Sequence, residues 1–265
     1  MTSERPEAEV LLSELTWSDV RSTKFETAVL PWGATEAHNL HLPYTTDNIQ
    51  VEWIAAEAAR RAVRDGASVV VLPGVPFGVN TQQLDIPLTV NMNPSTQAAV
   101  LGDVVQSLER GSVRKLVVLN GHGGNDFRQM VRELQSKTSL FLCVVDWFRV
   151  VPWSDYFEAS GDHAGEMETS VMLHVAGDLV RPLESAGSGS ARAFRLSGFR
   201  DGTAWAPRRW TSVTDDTGVG DPSRASAAKG EAFLKAVVDR IAEFLVELSR
   251  SDPDDMYEYV QGERS

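Results

Sequence analysis

The chain has little that would tie it to an extracellular, membrane or nucleic-acid setting. It has one cysteine, Cys143, so no intramolecular disulfide can form, which suits a reducing compartment. Cys143 lies in the apolar run Leu142-Cys143-Val144-Val145, a setting for a buried, inert thiol rather than a nucleophile. No run approaches the ~20 apolar residues that span a bilayer. The polar opening Met1-Thr2-Ser3-Glu4-Arg5-Pro6-Glu7 lacks the apolar stretch of a signal peptide. A cytoplasmic protein with no membrane partner is therefore expected. Positive charge is also in deficit. The 25 Lys and Arg against 37 Asp and Glu leave a formal net charge of -12, which disfavours general binding to nucleic acid by phosphate repulsion. The pattern G-x-x-x-x-G-K-[ST] is absent, which argues against a nucleotide P-loop. No internal repeat or low-complexity linker divides the chain.

What remains has an ordinary enzyme composition, 42% hydrophobic and 23% charged over 265 residues, enough to bury a full core. Strand-like and helix-like segments alternate. Thr27 to Leu30, Ser68 to Leu72, Lys115 to Leu119 and Leu140 to Val145 read as short buried strands. Asp47 to Arg64, Ser95 to Leu108, Asp126 to Ser136 and Met167 to Ala176 read as helices. A last helix carries Leu234, Val237, Ile241, Leu245 and Leu248 at helical spacing, with Asp221 as its cap and Pro222 in its first turn. The alternation predicts a single α/β domain over residues 1–250, a mostly parallel sheet sandwiched by helices in three layers. Residues 251–265 read as an acidic C-terminal tail. The stretch from Arg181 to Asp221 is long, rich in Gly, Ser and Arg, and weakly patterned, as functional or interface loops often are.

In such a fold, sites form beyond the carboxyl ends of the strands. Glu36-Ala37-His38 follows the first strand, with Asp47 nine residues after His38. Asn120-Gly121-His122-Gly123-Gly124-Asn125 follows the third strand, and His163-Ala164-Gly165-Glu166-Met167-Glu168-Thr169 precedes a helix. Mixed imidazole and carboxylate groups presented this way suit a hard-to-borderline divalent cation. In extended backbone Glu36 and His38 project to one side. A carboxylate such as Asp47 can bridge two cations, and paired cations can activate a water and polarise a carbonyl. Glu168 could close the site, and His163 could carry protons to a leaving group.

Taken singly, each residue has a plainer reading. Asp47 would be a helix N-cap, His38 and His122 structural histidines, Glu36 a surface carboxylate, and Glu166 a solvated helix start. His174 reads as structural, and His41 as orienting its loop. It is the joint pattern that brings at least four of these residues to one metal site. Arg192, Arg195, Arg200, Arg208 and Arg209 fall in one loop-like segment, readable either as inter-subunit ion pairing or as a phosphate or carboxylate subsite. Trp153, Tyr156, Trp205 and Trp210 are read as pocket walls or interface packing.

These residues resemble the creatininase (creatinine amidohydrolase) family. The resemblance is carried by Pro31-Trp32-Gly33-Ala34-Thr35-Glu36-Ala37-His38-Asn39-Leu40-His41-Leu42-Pro43 with Thr46-Asp47, by Asn120 to Asn125, by His163 to Ser170, and by Gly218-Val219-Gly220-Asp221-Pro222 with Ala225 and Gly230. It implies a creatininase-like domain in a homo-oligomer, commonly a hexamer. It also implies two divalent metal ions (Zn, Mn or Fe) ligated by Glu36, His38, Asp47 and His122, with Asp47 as the bridge. The family's glycine after the first histidine is Asn39 here, a residue that tolerates left-handed backbone. Gly124 stands where creatininase proper has an acidic ligand, and Glu168 is its natural replacement. No tryptophan shortly precedes His163, which points away from creatinine itself.

The expected activity is therefore hydrolysis of a C–N bond in a small cyclic amide or formamide by metal-held hydroxide, with His163 and Glu168 as catalytic candidates. The alternatives are a ring-opening hydrolase of a cyclic ketone or a sugar-like substrate, and a non-catalytic metal-binding protein.

Overall fold

Four apolar segments build the centre of the molecule, and the computed structural model describes residues 9–159 and 161–259. In chain order the elements are α1 (Trp17–Ser22), β1 (Thr27–Trp32), α2 (Thr46–Arg64), β2 (Val69–Val71), α3 (Pro94–Glu109), β3 (Lys115–Asn120), α4 (Arg128–Gln135), β4 (Phe141–Asp146), β5 (Gly161–His163), α5 (Glu166–Ala176), the single turns α6 (Ser197–Arg200) and α7 (Trp210–Val213), β6 (Val219–Gly220) and α8 (Ala227–Arg250). β1 to β4 form one parallel sheet in the order β2-β1-β3-β4. β5 and β6 form a separate antiparallel pair.

β1, β2 and β3 are buried on both faces, as parallel strands tend to be, while the edge strand β4 is mostly half-buried. Alternate residues of β1 and β3 point to opposite layers. Ala28, Leu30, Leu116 and Val118 join the core under α3 and α4, and Val29, Val117 and Leu119 join the core under α2, α5 and α8. At about 25 cal/mol per Å² of apolar surface removed from water, these two layers dominate the folding free energy. α8 lies close to α5. A Cβ on Gly230 would come within 2.0 Å of the Ser170 carbonyl oxygen, so only glycine permits this crossing.

Register places the site. Trp32 pairs with Asn120, and Asn120 with Asp146, so three strands end level. The chain leaves β1 toward β2 on one side, while β3 and β4 lie on the other. A crevice opens between the β1 and β3 ends at this switch point.

Some boundaries differ from expectation. Asp47 is not the cap of α2. It lies in the first turn, after Thr45, which leaves its carboxylate free for the crevice. Asp221 does not cap α8 either. Gly220 is held in β6, Asp221 accepts from Ser223 N at 2.8 Å, and the helix starts later behind Ser226, whose Oγ accepts from Lys229 N. Beyond α8, Met256 packs on the core and Asp254 lies 3.7 Å from Arg114. Residues 260–265 of the expected tail lie outside the described residues.

Candidate metal centre

Three segments bring the ligand-type residues together. The loop after β1 is tied down by Glu36 N donating to Tyr44 O (3.0 Å) and by a bridge between His38 and Leu42. Asn39 then takes a left-handed φ of 54°. Its side chain accepts from Gly187 N (2.8 Å) and donates to Gly187 O (3.1 Å). Asparagine therefore makes the turn and also clamps it to the long loop. The loop after β3 is knitted by its own asparagines. Asn120 Oδ1 accepts from His122 N (3.1 Å) and Asn125 Nδ2 (3.0 Å), and Asn125 Oδ1 accepts from Val79 N and Gln97 Nε2. A Cβ on Gly124 would lie 2.4 Å from His122 Nε2 and 2.5 Å from Val79 O, so this loop path leaves no room for a side-chain ligand at 124. The third segment supplies His163 at the end of β5 and Glu168 in the first turn of α5. Between them Ala164 has φ of 52°, and its N–H donates to the Glu168 carboxylate.

Glu36, His38, Asp47, His122 and His163 are buried, and Glu168 is partly exposed to the cavity. The imidazole tautomers follow from their outer partners. A backbone carbonyl only accepts, so the ring nitrogen facing it carries the proton. His38 Nδ1 donates to Glu36 O (3.1 Å), His122 Nε2 to Val79 O (3.1 Å) and His163 Nε2 to Ala37 O (2.7 Å). The inner nitrogens then all face carboxylates. His38 Nε2 is 3.2 Å from Asp47 Oδ1; His122 Nδ1 is 3.1 Å from both Asp47 Oδ2 and Glu36 Oε1; His163 Nδ1 is 3.6 Å from Glu36 Oε1. Lone pairs facing buried anions repel unless a cation sits between them. Asp47 Oδ2 also has no well-directed hydrogen bond.

Three overlapping triads have ligand atoms within 4.8 Å of one another: Glu36, Asp47 and His122; His38, Asp47 and Glu168; and Glu36, His38 and His163. Asp47 belongs to the first two, so its two oxygens can serve two cations. The donor set of imidazole nitrogen and carboxylate oxygen fits zinc or manganese.

In the metal-free protein, protons play the cation's part. Burial alone would lower the His38 pKa, but Asp47, Glu168 and Glu36 push it up to about 10. His122 is likewise raised well above the ordinary value against burial, by Glu36 and Asp47. Burial works against ionised Glu36 and Asp47, yet the imidazoles beside them hold both below the usual carboxylate range. Burial raises Glu168.

Comparison with known proteins places the chain in a family. The family model for creatininase (creatinine amidohydrolase) matches residues 13–245. The chain belongs to the creatininase family. It is thus a metal-dependent amidohydrolase of that family. It is 31% identical over 233 residues to a mycofactocin precursor peptide peptidase from Mycolicibacterium smegmatis, covering 85% of each chain. A candidate creatinine amidohydrolase from Bacteroides fragilis has a similar structure (TM-score 0.89, 43% identity, covering 94% of this chain and 99% of that one). So does a creatininase variant in a Zn–Zn form (TM-score 0.75, 25% identity, 92% and 100% covered). The shared α/β architecture is that of the family.

The centre of this creatininase-family protein opens into a cavity of about 690 Å³. Trp153, Trp205 and Trp210 line it. Tyr156 does not; it packs against Phe233 in the core. Glu166 is not a solvated helix start. It is fully buried, accepting from Glu158 N (2.9 Å), Ala159 N (2.7 Å) and Lys229 Nζ, and so anchors the segment leading to His163. His41 donates to or accepts from Thr169 Oγ1 at 2.9 Å, and burial with the nearby His38 charge lowers its pKa to about 4. His174 packs edge-on against Trp53. Cys143 is half-buried on the edge strand, and burial pushes its thiol up to about 12.

The arginines expected to act together are dispersed. Arg192 pairs with Asp215 and Arg209 with Asp85 (3.0 Å), while Arg200 donates to the Phe194 and Arg195 carbonyls. Of the five, Arg208 alone lines the cavity. One supporting residue gave no signal in the sequence: Gln83, whose buried side-chain amide donates to Glu36 Oε2.

Proposed function

We propose that this chain hydrolyses an amide C–N bond at a two-metal centre. Glu36, Asp47 and His122 would hold one cation, and His38, Asp47 and Glu168 the other. The observation that carries this reading is the set of imidazoles whose outer N–H groups are tied to backbone carbonyls while their inner lone pairs converge on Glu36 and Asp47. The similarity to a creatininase in a Zn–Zn form supports zinc; manganese and iron suit the same donors. When bound, the two cations supply water activation and carbonyl polarisation.

The chain's own residues do the rest. Asp47 offers its carboxylate to both triads. Gln83 orients Glu36. His163 carries its proton on Nε2 toward Ala37 O and presents Nδ1 to the cavity, where it takes a proton and returns it to the leaving nitrogen. Buried Trp210 closes the wall beside His163 with its ring.

The substrate is a cyclic amide or formamide bearing a substituent that fills the cavity. A second reading, an amide in a peptide-derived substrate, is favoured by two observations. One is the similarity to the mycofactocin precursor peptide peptidase. The other is a further cavity of about 280 Å³ that shares Thr81, Gln82, Pro207 and Arg208 with the first. The catalytic unit is residues 1–250, working in the cytoplasm as a homo-oligomer, a hexamer on the family pattern; light scattering tests the assembly. Metal analysis coupled to a screen of cyclic amides, formamides, peptides and cyclic ketones tests the chemistry. Asp47→Ala should abolish turnover and bound metal together. Full activity in soluble, metal-depleted protein would refute the reading.

A further inference from the structure

The cavity is lopsided in charge. Its floor is the carboxylate cluster and the whole chain carries a net charge of -12, yet Arg149 and Arg208 stand in its wall. Arg149 is mostly exposed and lies 3.7 Å from Asp146. Arg208 is held differently. Its guanidinium carbon sits 4.8 Å over the Trp210 ring. Trp210 is buried, donates Nε1–H to Thr217 O (2.9 Å), and meets His163 edge-on with centroids 5.3 Å apart. Arg208 thus rests over a fixed aromatic shelf, one side chain from His163.

The donors of that fork are mostly unused. An Nη2–H goes to Asp162, whose side chain is more than half exposed. Among the described residues, the Nε–H and Nη1–H groups have no acceptor. Guanidinium recognises carboxylate through two parallel N–H donors, and an exposed ion pair such as Arg208–Asp162 is weak enough to be exchanged. We propose, on the two-metal reading above, that Arg208 is a specificity-determining residue that binds a carboxylate carried by the amide substrate, with Asp162 as the resident counter-ion the substrate displaces.

The test uses the full zinc-loaded chain and hydroxamates, whose head groups chelate the centre. Monohydroxamates of succinic to suberic acid are titrated beside uncharged alkyl hydroxamates of equal length. At one tail length the acid should bind at least about tenfold tighter. Arg208→Met should remove that preference and leave the alkyl series unchanged. Asp162→Asn should enlarge the preference severalfold, because it frees the fork. Arg208→Lys, which keeps the charge without the fork, should give an intermediate preference and serves if the Met variant does not fold. If the pair were only a structural clip, breaking it from either side would shift both series in the same direction. That result, or no acid preference at any length, overturns the assignment. Failure of both series to bind the zinc-loaded wild type overturns the two-metal reading and this assignment with it.

Discussion

Loading the centre with zinc at pH 7.5 should expel about two protons per chain from its imidazoles, beyond the one that an activated water would add. In the metal-free protein buried carboxylates hold His38 at about 10, so it stays protonated at that pH, and they raise His122 well above its ordinary value. Zinc takes the inner lone pairs that those protons occupy. Glu36 and Asp47 are held low and already ionised, so they release nothing. Glu168 is raised by burial, so any proton it retains adds to the release. Two ordinary imidazoles with pKa near 6.5 would be about one-tenth protonated each, giving roughly 0.2 protons in all. Titration calorimetry in buffers of graded ionisation enthalpy reads the number as a slope. The apparent affinity of the ion held with His38 should also rise about tenfold per pH unit between about pH 7 and 9. A slope of about one proton or less, which ordinary imidazoles with an activated water would give, or an affinity flat across that window, would refute the argument that these imidazoles are poised against the carboxylates.

The same protons stabilise the metal-free fold. The His38 contribution is complete below its unfolded value near pH 6.5 and is lost as pH rises through about 10, so the Tm of the metal-free chain should fall across that window while the loaded chain holds; a flat metal-free profile would count against it. Gln83→Met removes the donor to Glu36 and should weaken metal binding by about 10- to 100-fold, read by competition with a chelator; unchanged affinity would show that Glu36 needs no such support. Asn39→Gly keeps the left-handed turn but loses the hydrogen bonds to Gly187, and should cost about 1–2 kcal/mol in urea unfolding; a gain in stability would mean the turn alone decides.

The sheet was readable because each of its strands is a short continuous run of apolar residues between breakers, as in Lys115 to Leu119. β5 and β6 were not, since Gly161–His163 and Val219–Gly220 are too short to show a period. α1 carries a legible start in its capping box of Thr16 and Asp19. The site residues Glu36, His38, Asp47, His122, His163 and Glu168 stood out because imidazole and carboxylate have few reasons to recur beside strand ends, and the fold brings them within reach of one another. Glu166 misled because a carboxylate in a helix's first turn looks solvated, and its partners are backbone amides in Glu158 and Ala159 and a lysine on α8. Gln83 gave no sign, because a neutral amide in a polar loop gains meaning only from the neighbour it meets across the fold. Arginines close along the chain meet acidic partners that lie apart, Asp215, Asp85 and Asp162.

The outer partners of the three inward-facing imidazoles are main-chain oxygens of Glu36, Ala37 and Val79. No side-chain substitution deletes a main-chain oxygen, so the choice of nitrogen offered to the cation is insulated from point mutation. It changes only when a loop takes another route. Attempts to re-engineer cation preference here would therefore gain more from exchanging whole connecting segments than from replacing residues one at a time.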